Sequence, residues 1–314
     1  MALKTLLPFL ECPHRCGPLS WSAAKLECGR GHIFPIADGV TPILLTEDLA
    51  DSRTIRETLS WAKHRTAEVH SEQGIHPHVQ KSIAETNGRL YLGAIDRLSR
   101  YPIPQLRLPE SNGHLLDIGC NWGRWCVAAE MKGYKAVGID PNIHALRAAR
   151  AVSAELGVFP NFVCADARRL PFAAQSFDVV FSYSVIQHFS KDDARSILRE
   201  ISRVLRPGGK SLIQMANKFG PVSFVHQARR QFGEGSSFDV RYWSPSELQR
   251  TFDQHIGPSI VGVDGFFGLG IQPTDIDIVS PLGRLVIKSS EFLRKTGRFK
   301  QFADSLYITS VKSS

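Results

Sequence analysis

Through the second half of the chain, short apolar runs alternate with longer amphipathic stretches. Residues 115–119, 135–140, 161–165, 177–181 and 211–215 are rich in Leu, Ile, Val, Phe and Ala, and each is five or six residues long. Runs of that length bounded by Gly, Asp and Pro predict buried strands. Between them, helices are expected from about residue 124 to 132, around Leu146 with its neighbouring alanines, and over 192–205, where Pro207-Gly208-Gly209 stops the pattern. Strand–helix alternation of this kind predicts an α/β fold, a doubly wound parallel sheet with ligands at the carboxyl ends of its strands. Towards the N-terminus, Ile33–Ile36 and Val40–Leu45 read as short strands around an Asp38-Gly39 turn. Residues 51–112 read as a polar connector, with a helix over 54–73 ended by Gly74 and Pro77, then an extended lead-in through Pro102, Pro104 and Pro109. Three segments follow: 1–50, 51–112 and 113–314.

Composition changes this picture little. The 314 residues are 43% hydrophobic and 22% charged, the balance of a folded globular chain, and no apolar run approaches the ~18 residues of a membrane span. The first ten residues lack a small-residue cleavage site, so no secretory signal is expected. Six cysteines in a chain of this length do not make a disulfide scaffold, and a reducing, cytoplasmic compartment is expected. Cys120, Cys126 and Cys164 read as small buried hydrophobes.

Cys12, Cys16, Cys28 and His32 form two ligand pairs of matching spacing, with Pro13, Gly17, Gly29 and Gly31 supplying turns. Three thiolates and an imidazole close a tetrahedral site, so a structural Zn²⁺ is expected, with His14 a rival ligand. A segment this small needs such a staple, because it cannot bury enough apolar surface alone. The pattern resembles small zinc-ribbon modules of the Trm112 type. His64, His70, His76 and His78 in the connector read as helix-face or pocket histidines.

The first strand of the α/β segment runs into Asp117-Ile118-Gly119-Cys120-Asn121-Trp122-Gly123, and the second ends at Asp140-Pro141. Glycine at a strand-to-helix turn lets a ligand approach the backbone, and a strand-end carboxylate can accept from ribose hydroxyls. A dinucleotide turn needs G-x-G-x-x-G/A, yet positions 121 and 124 are Asn and Arg. S-adenosylmethionine, with no pyrophosphate, tolerates that loop, and Asp166 at the third strand's end is placed to accept from an adenine amine.

From Gly113 to about Gly220 the motif order closely resembles class I S-adenosylmethionine-dependent methyltransferases: L-D-I-G-C-x-x-G, G-I-D-P, A-D-A-R-R-L-P-F, S-F-D-V-V-F-S-Y-S-V-I-Q-H-F and V-L-R-P-G-G-K. The resemblance implies a Rossmann-like sheet of seven strands, with residues 304–312 as the last, antiparallel one. It implies that Gly119, Cys120, Asn121, Trp122 and Gly123 cradle the methionine portion and that Asp140-Pro141 holds the ribose. Asp166 and Ala167 would read adenine, the backbone at Ser182 and Tyr183 would face the methionine amine, and Asp117 would order the loop or a bridging water. Asn121 stands where the family usually has glycine; Asn tolerates left-handed backbone, so the turn can survive. Trp122 is expected either as a lid on the ligand or packed on the connector.

His188, just past the fourth strand, is the expected base for a hydroxyl acceptor. The 38 basic and 30 acidic residues give +8, but residues 1–50 carry five acidic against four basic side chains. Nucleic-acid affinity rests on phosphate neutralisation, which that segment does not offer. Basic charge collects over 281–300, where Leu282, Leu285, Val286, Phe292 and Leu293 fall near helical spacing. This predicts a basic amphipathic helix inserted before the last strand, solvated or in peripheral contact with a membrane. A small-molecule or lipid/glycan-linked acceptor methylated on oxygen is therefore expected ahead of RNA; a catalytically inactive partner protein of the same fold is the third reading.

Overall fold

A computed structural model describes residues 2–22, 24–64, 75–88, 91, 93, 98–233, 235, 238–267, 276, 277 and 279–313. The expected helix over 65–73 and His70 lie outside the described residues.

The central sheet has seven strands: β5 (His114–Ile118), β6 (Lys135–Asp140), β7 (Asn161–Cys164), β8 (Phe177–Tyr183), β9 (Leu205–Ala216), β10 (Ser259–Gly265) and β11 (Ser305–Val311). Their order is β10-β11-β9-β8-β5-β6-β7. Strand β11 inserts antiparallel between β9 and β10, and the pairs among β9, β8, β5, β6 and β7 are parallel. The five internal runs read from the sequence all become strands of this sheet; β10 was not read. Helices α4 (Arg124–Glu130), α5 (Ile143–Glu155), α6 (Lys191–Val204) and α8 (Pro245–His255) flank the sheet. Helix α6 is strongly amphipathic and buries Ala194, Ile197, Leu198, Ile201 and Val204 in one stripe.

The N-terminal segment opens with a short helix, α1 (Ala2–Leu6), and forms a four-stranded antiparallel sheet: β1 (Leu19–Ser22), β2 (Lys25–Cys28), β3 (Ile33–Ala37) and β4 (Thr41–Pro42). It does not stand apart. Its Leu10, Leu26, Phe34 and Leu44 share one apolar core with Phe172, Phe177 and Ile197 of the larger unit. Ile43 pairs with Cys164, and the Leu44 N–H donates to the Cys164 carbonyl at 2.7 Å, so the small sheet covers the β7 edge that would otherwise be open.

The connector supplies α2 (Arg53–His64) and α3 (Pro77–Thr86). Pro77 was expected to end a helix; it occupies the first turn of α3, where its missing N–H costs nothing and its fixed φ suits the helix. Beyond β9, α7 (Pro221–Arg229) and α9 (Pro281–Thr296) border the carboxyl edge of the sheet.

Candidate active site

At the end of β5 the chain turns through 119–123 with three positive φ angles: 75° at Gly119, 46° at Asn121 and 79° at Gly123. A Cβ on Gly119 would lie 2.3 Å from Val185 Cγ2, so the position admits only glycine. Asn121 adopts the left-handed conformation its side chain allows, and the turn is kept despite the missing glycine. Asp140, at the end of β6, accepts the N–H of Asn121 at 3.0 Å and of Asn142 at 2.9 Å. Burial pushes its carboxyl up to about 6, a penalty those two donors reduce. Asp117 is 1% exposed and, among the described residues, its carboxylate takes only a thiol, Cys126 Sγ at 3.4 Å; burial pushes it up to about 7.

Several side chains read as ligand contacts are otherwise engaged. Trp122 is fully buried against the connector: its Nε1 donates to Thr86 Oγ1 at 3.0 Å, and Val79, Tyr101, Ala148 and Val152 surround it. The packed alternative is the one the structure has, and the indole is no lid. Asp166 was read as an adenine acceptor; both of its oxygens receive the Arg168 guanidinium, at 3.0 and 2.8 Å, and Arg168 also grips Asp51 of the connector. Ala167 beside it is buried. Ser182 Oγ donates to the Ile118 carbonyl at 2.9 Å, knitting β8 to β5. The Pro141 carbonyl accepts Thr58 Oγ1 of α2 at 2.8 Å, and Cys120 is buried. Beside the turn, the partly buried side chains of Asn121 and of His78 of α3 are directed at each other, which links the turn to the connector a second time.

A cleft of about 310 Å³ opens beyond Tyr183 and Ser184, bordered by α7, α9 and the residues following α3. On its wall Asp264 gathers Arg107 Nη1 at 3.0 Å, the Tyr183 hydroxyl at 3.0 Å and Ser305 Oγ at 2.7 Å. Burial, then the Asp264 charge, raises the Tyr183 phenol well above its ordinary value. His188, the expected base, is not among the lining residues. Its ring stacks on Phe238 at 4.2 Å and 4°, and its Nδ1 lies 2.7 Å from the Phe238 carbonyl; burial lowers its pKa. The imidazole that does line the cleft is His226 of α7, with Nδ1 3.3 Å from the Tyr242 hydroxyl. The sequence reading missed α7 and therefore His226. It also treated the connector as a spacer, although that segment supplies Thr58, His78, Thr86 and Arg107.

In the small sheet, one donor atom from each of Cys12, Cys16, Cys28 and His32 lies within 4.8 Å of the other three. The sulfurs stand 3.8, 3.4 and 3.3 Å from His32 Nδ1, close to the edges of a tetrahedron with metal–ligand bonds of about 2.0–2.3 Å. The donor set therefore fits Zn²⁺ with no open position. His14, the rival, stacks on His32 with ring centroids 4.3 Å apart and does not join the cluster.

Comparison with known proteins points the same way. Residues 116–213 match the family described as a methyltransferase domain. A ubiquinone biosynthesis O-methyltransferase of Sinorhizobium medicae (strain WSM419) is 30% identical over 141 residues, 45% of this chain and 51% of the relative. An O-methyltransferase of Pyrenophora dematioidea is 35% identical over 121 residues, 37% of this chain and 44% of the relative. The chain thus spans about half, or less, of these curated relatives. Among solved structures, a SAM-dependent methyltransferase from Thermotoga maritima aligns with 75% of this chain and 98% of its own, with TM-score 0.47 and 19% identity. A chain of the Haloferax volcanii complex between the Trm112 methyltransferase activator and a methyltransferase aligns with TM-score 0.47 and 18% identity, over 77% of this chain and 98% of its own.

Proposed function

We propose that this chain transfers a methyl group from S-adenosylmethionine to an oxygen atom of a small molecule held in the cleft beside Tyr183. One observation carries the reading: the left-handed Gly119–Gly123 turn that ends β5 stands beside the Asp140 carboxylate that ends β6, and a cleft of about 310 Å³ opens at the end of β8, the other strand paired with β5. The residues fit the cofactor, because a carboxylate at the end of β6 can accept from ribose hydroxyls and the glycine turn before α4 presents backbone to a ligand. When bound, the cofactor supplies an electrophilic methyl on a charged sulfur.

The protein's contribution is alignment, which accounts for much of the acceleration in such a displacement. Asp140 would accept from the ribose hydroxyls, the 119–123 turn would cradle the methionine end, and Ala167 would lie towards the adenine, with Asp166 held by Arg168 beside it. His226 takes the proton of the acceptor hydroxyl, its ring oriented by Tyr242. The O-methyltransferase names of the partial relatives support oxygen as the target. Leu282, Leu285 and Phe292 of α9 are 71%, 62% and 69% exposed on a helix that borders the cleft, which supports an acceptor with a lipid-like tail. Cys12, Cys16, Cys28 and His32 hold one structural zinc in this reading.

The test is unbiased labelling. Protein, methyl-labelled cofactor and cell extract are incubated and then partitioned into RNA, lipid and aqueous metabolites. Label in the organic phase is expected. Label in RNA would move the acceptor to nucleic acid, and cofactor binding without any labelled product would leave an inactive binding protein.

A further inference from the structure

Lys191, Lys218, Arg230 and Arg241 line a second cavity, of about 180 Å³, beside the acceptor cleft, and none of the described residues lining it is acidic. Val240 and Tyr242 border both cavities, and the Tyr242 hydroxyl lies 3.3 Å from His226 Nδ1, so the basic cavity begins where the candidate base is held. Sites that enclose a whole small molecule run to roughly 300–1,000 Å³. This one is smaller and suits a single charged group of a larger ligand.

The cations around it are unevenly compensated. Lys191 Nζ bonds Glu247 at 2.6 Å and lies over the Trp243 ring. Arg230 Nη1 stands 3.8 Å from the Asp239 carboxylate, beyond hydrogen-bond reach, and its Nη2 donates to the Val240 carbonyl at 2.9 Å. Its Nε is buried with no hydrogen-bond partner among the described residues, a donor still waiting for an acceptor. Arg241 Nη1 donates to the His188 and Asp239 carbonyls, at 2.8 and 2.7 Å. Lys218 is exposed, and its Nζ enters no ion pair among the described residues. A phosphomonoester, with about −1.5 to −2 charges near pH 7 and three strong acceptor oxygens, matches a guanidinium and an ammonium held together in this way. A carboxylate brings one charge and matches them less well.

The rim is apolar. Phe232, which lines the cavity, is 60% exposed, and Phe224, 55% exposed, meets it edge-on with ring centroids 5.6 Å apart. Phe232 is held there at φ 60° after Gln231 at φ 51°, a left-handed pair that side chains of this size seldom adopt. Exposed rings at the mouth of a basic cavity suit a phosphate attached to an apolar chain.

We infer that this cavity is a phosphate subsite, in which Arg230, Lys218 and Arg241 bind a phosphomonoester carried by the acceptor whose hydroxyl meets His226. The link to the acceptor rests on the methyl-transfer reading above; the anion site does not.

Calorimetry at low ionic strength tests it, with inorganic phosphate and pyrophosphate as probes and acetate as the singly charged control. Both phosphates should bind and acetate should not, and pyrophosphate affinity should fall as salt is raised. Lys218→Glu should weaken pyrophosphate about tenfold or more at an unchanged melting temperature, because that side chain is exposed and unpaired. Arg230→Gln should weaken it about 100-fold, and both variants should keep S-adenosylhomocysteine, the demethylated donor, within about twofold of wild type. Vesicles identify the carrier. Protein should sediment with phosphatidylcholine vesicles that contain phosphatidic acid, be released by pyrophosphate, and ignore phosphatidylcholine alone. Failure to sediment, with tight binding of soluble glycerol 3-phosphate, would keep the subsite and put its phosphate on a water-soluble acceptor. No heat from either phosphate overturns the inference, as does acetate binding as well as phosphate, or pyrophosphate binding that neither variant changes. A loss confined to Arg230→Gln and matched by a lower melting temperature also overturns it, marking Arg230 as a loop anchor. Wild-type protein that binds S-adenosylhomocysteine but neither phosphate loses the subsite and keeps the methyl-transfer reading. Protein that binds both phosphates but not S-adenosylhomocysteine keeps the anion site and loses its link to a methyl acceptor.

Discussion

The indole Nε1 of Trp122 donates a 3.0 Å hydrogen bond to Thr86 Oγ1, joining the Gly119–Gly123 turn to the last turn of the connector helix α3. The turn is therefore built on the connector and does not hang free from the sheet. Trp122→Ala should cost about 3–5 kcal/mol, the range for removing a large buried aromatic. Trp122→Phe should cost about 1–2 kcal/mol, from loss of the N–H bond and part of the ring. Urea denaturation gives the two values. Limited proteolysis gives the mechanism, because both variants should be cut faster within 75–88. Stability losses under about 0.5 kcal/mol with an unchanged digestion pattern would show that the anchor lies elsewhere.

How much of this was legible in the sequence depended on whether an element carries its own boundaries. Strand β6 was read to the residue, because apolar Ala136–Ile139 is closed by Lys135 and Asp140. The five internal strands and the antiparallel last strand followed for similar reasons. Strand β10, Ser-Ile-Val-Gly-Val-Asp-Gly, has glycines and an acid inside it and gives no clean run. Helix α3 was lost because proline was taken as a stop when here it is a start. Ligand pairs at matching spacing are local, and the Cys/His cluster was found complete. The orientations of Trp122 and His188 are not local: one depends on where the connector packs, the other on the loop that brings Phe238 over the imidazole. The solvated helix expected over 281–300 is α9, Pro281–Thr296. Its apolar spacing is real, yet only Ile287 and Ser290 face inward.

Asp117 sets a pH dependence of stability. Its ordinary value is 3.8, and burial raises it in the folded chain to about 7. Between those values the unfolded chain has released a proton that the folded chain keeps, so stability falls as pH rises and levels off above about 7. The ceiling is about 4 kcal/mol, at about 1.4 kcal/mol per pH unit. Asp117→Asn should therefore melt above wild type at pH 8, with the gap shrinking by about 5 °C between pH 8 and pH 5. Thermal unfolding across that range decides it; a gap that stays constant with pH would mean that Asp117 is ionised in the fold throughout.

The metal cluster should govern the whole chain's stability, because Cys12 and Cys28 belong to the core that also holds Phe172, Phe177 and Ile197. Metal analysis of purified protein is expected to return one zinc per chain. Stripping it with a chelator should lower the single melting transition by about 10 °C or more, with no separate low-temperature step for the small sheet. Cys28→Ser should reproduce that loss. Purified protein free of zinc and melting normally would end the metal reading.

Asp140→Ala tests the proposed ribose contact. Its oxygens already hold the N–H groups of Asn121 and Asn142, so Asp140→Ala removes both the proposed ligand contact and the tie that shapes the turn. S-Adenosylhomocysteine affinity should fall by at least about 100-fold, and 5′-methylthioadenosine should fall in parallel because both carry the same ribose. Asp140→Asn keeps one acceptor oxygen and should lose less. Calorimetry that found 5′-methylthioadenosine binding unchanged in Asp140→Ala would place the ribose elsewhere.

Two histidines compete for the role of base, and their surroundings separate them. His188 has its Nδ1 2.7 Å from the Phe238 carbonyl, its face covered by that ring, and a pKa lowered by burial. Its backbone carbonyl also accepts Arg241 Nη1 at 2.8 Å, which marks a residue built into the loop. His226 lines the cleft, and its one side-chain hydrogen bond among the described residues is to the Tyr242 hydroxyl. A base must reach the proton it removes, and only His226 borders the space where an acceptor would sit. With an acceptor in hand, His226→Ala should lower kcat by about 100-fold, the lower end for a general base, while S-adenosylhomocysteine affinity stays within twofold of wild type. Tyr242→Phe should cost less, since it removes only the contact that orients the ring. His188→Ala should instead lower the melting temperature and raise KM more than it lowers kcat, because it loosens the loop carrying Phe238 and Arg241. The reverse result, a large kcat loss in His188→Ala at unchanged stability and little effect in His226→Ala, would return the proton transfer to His188.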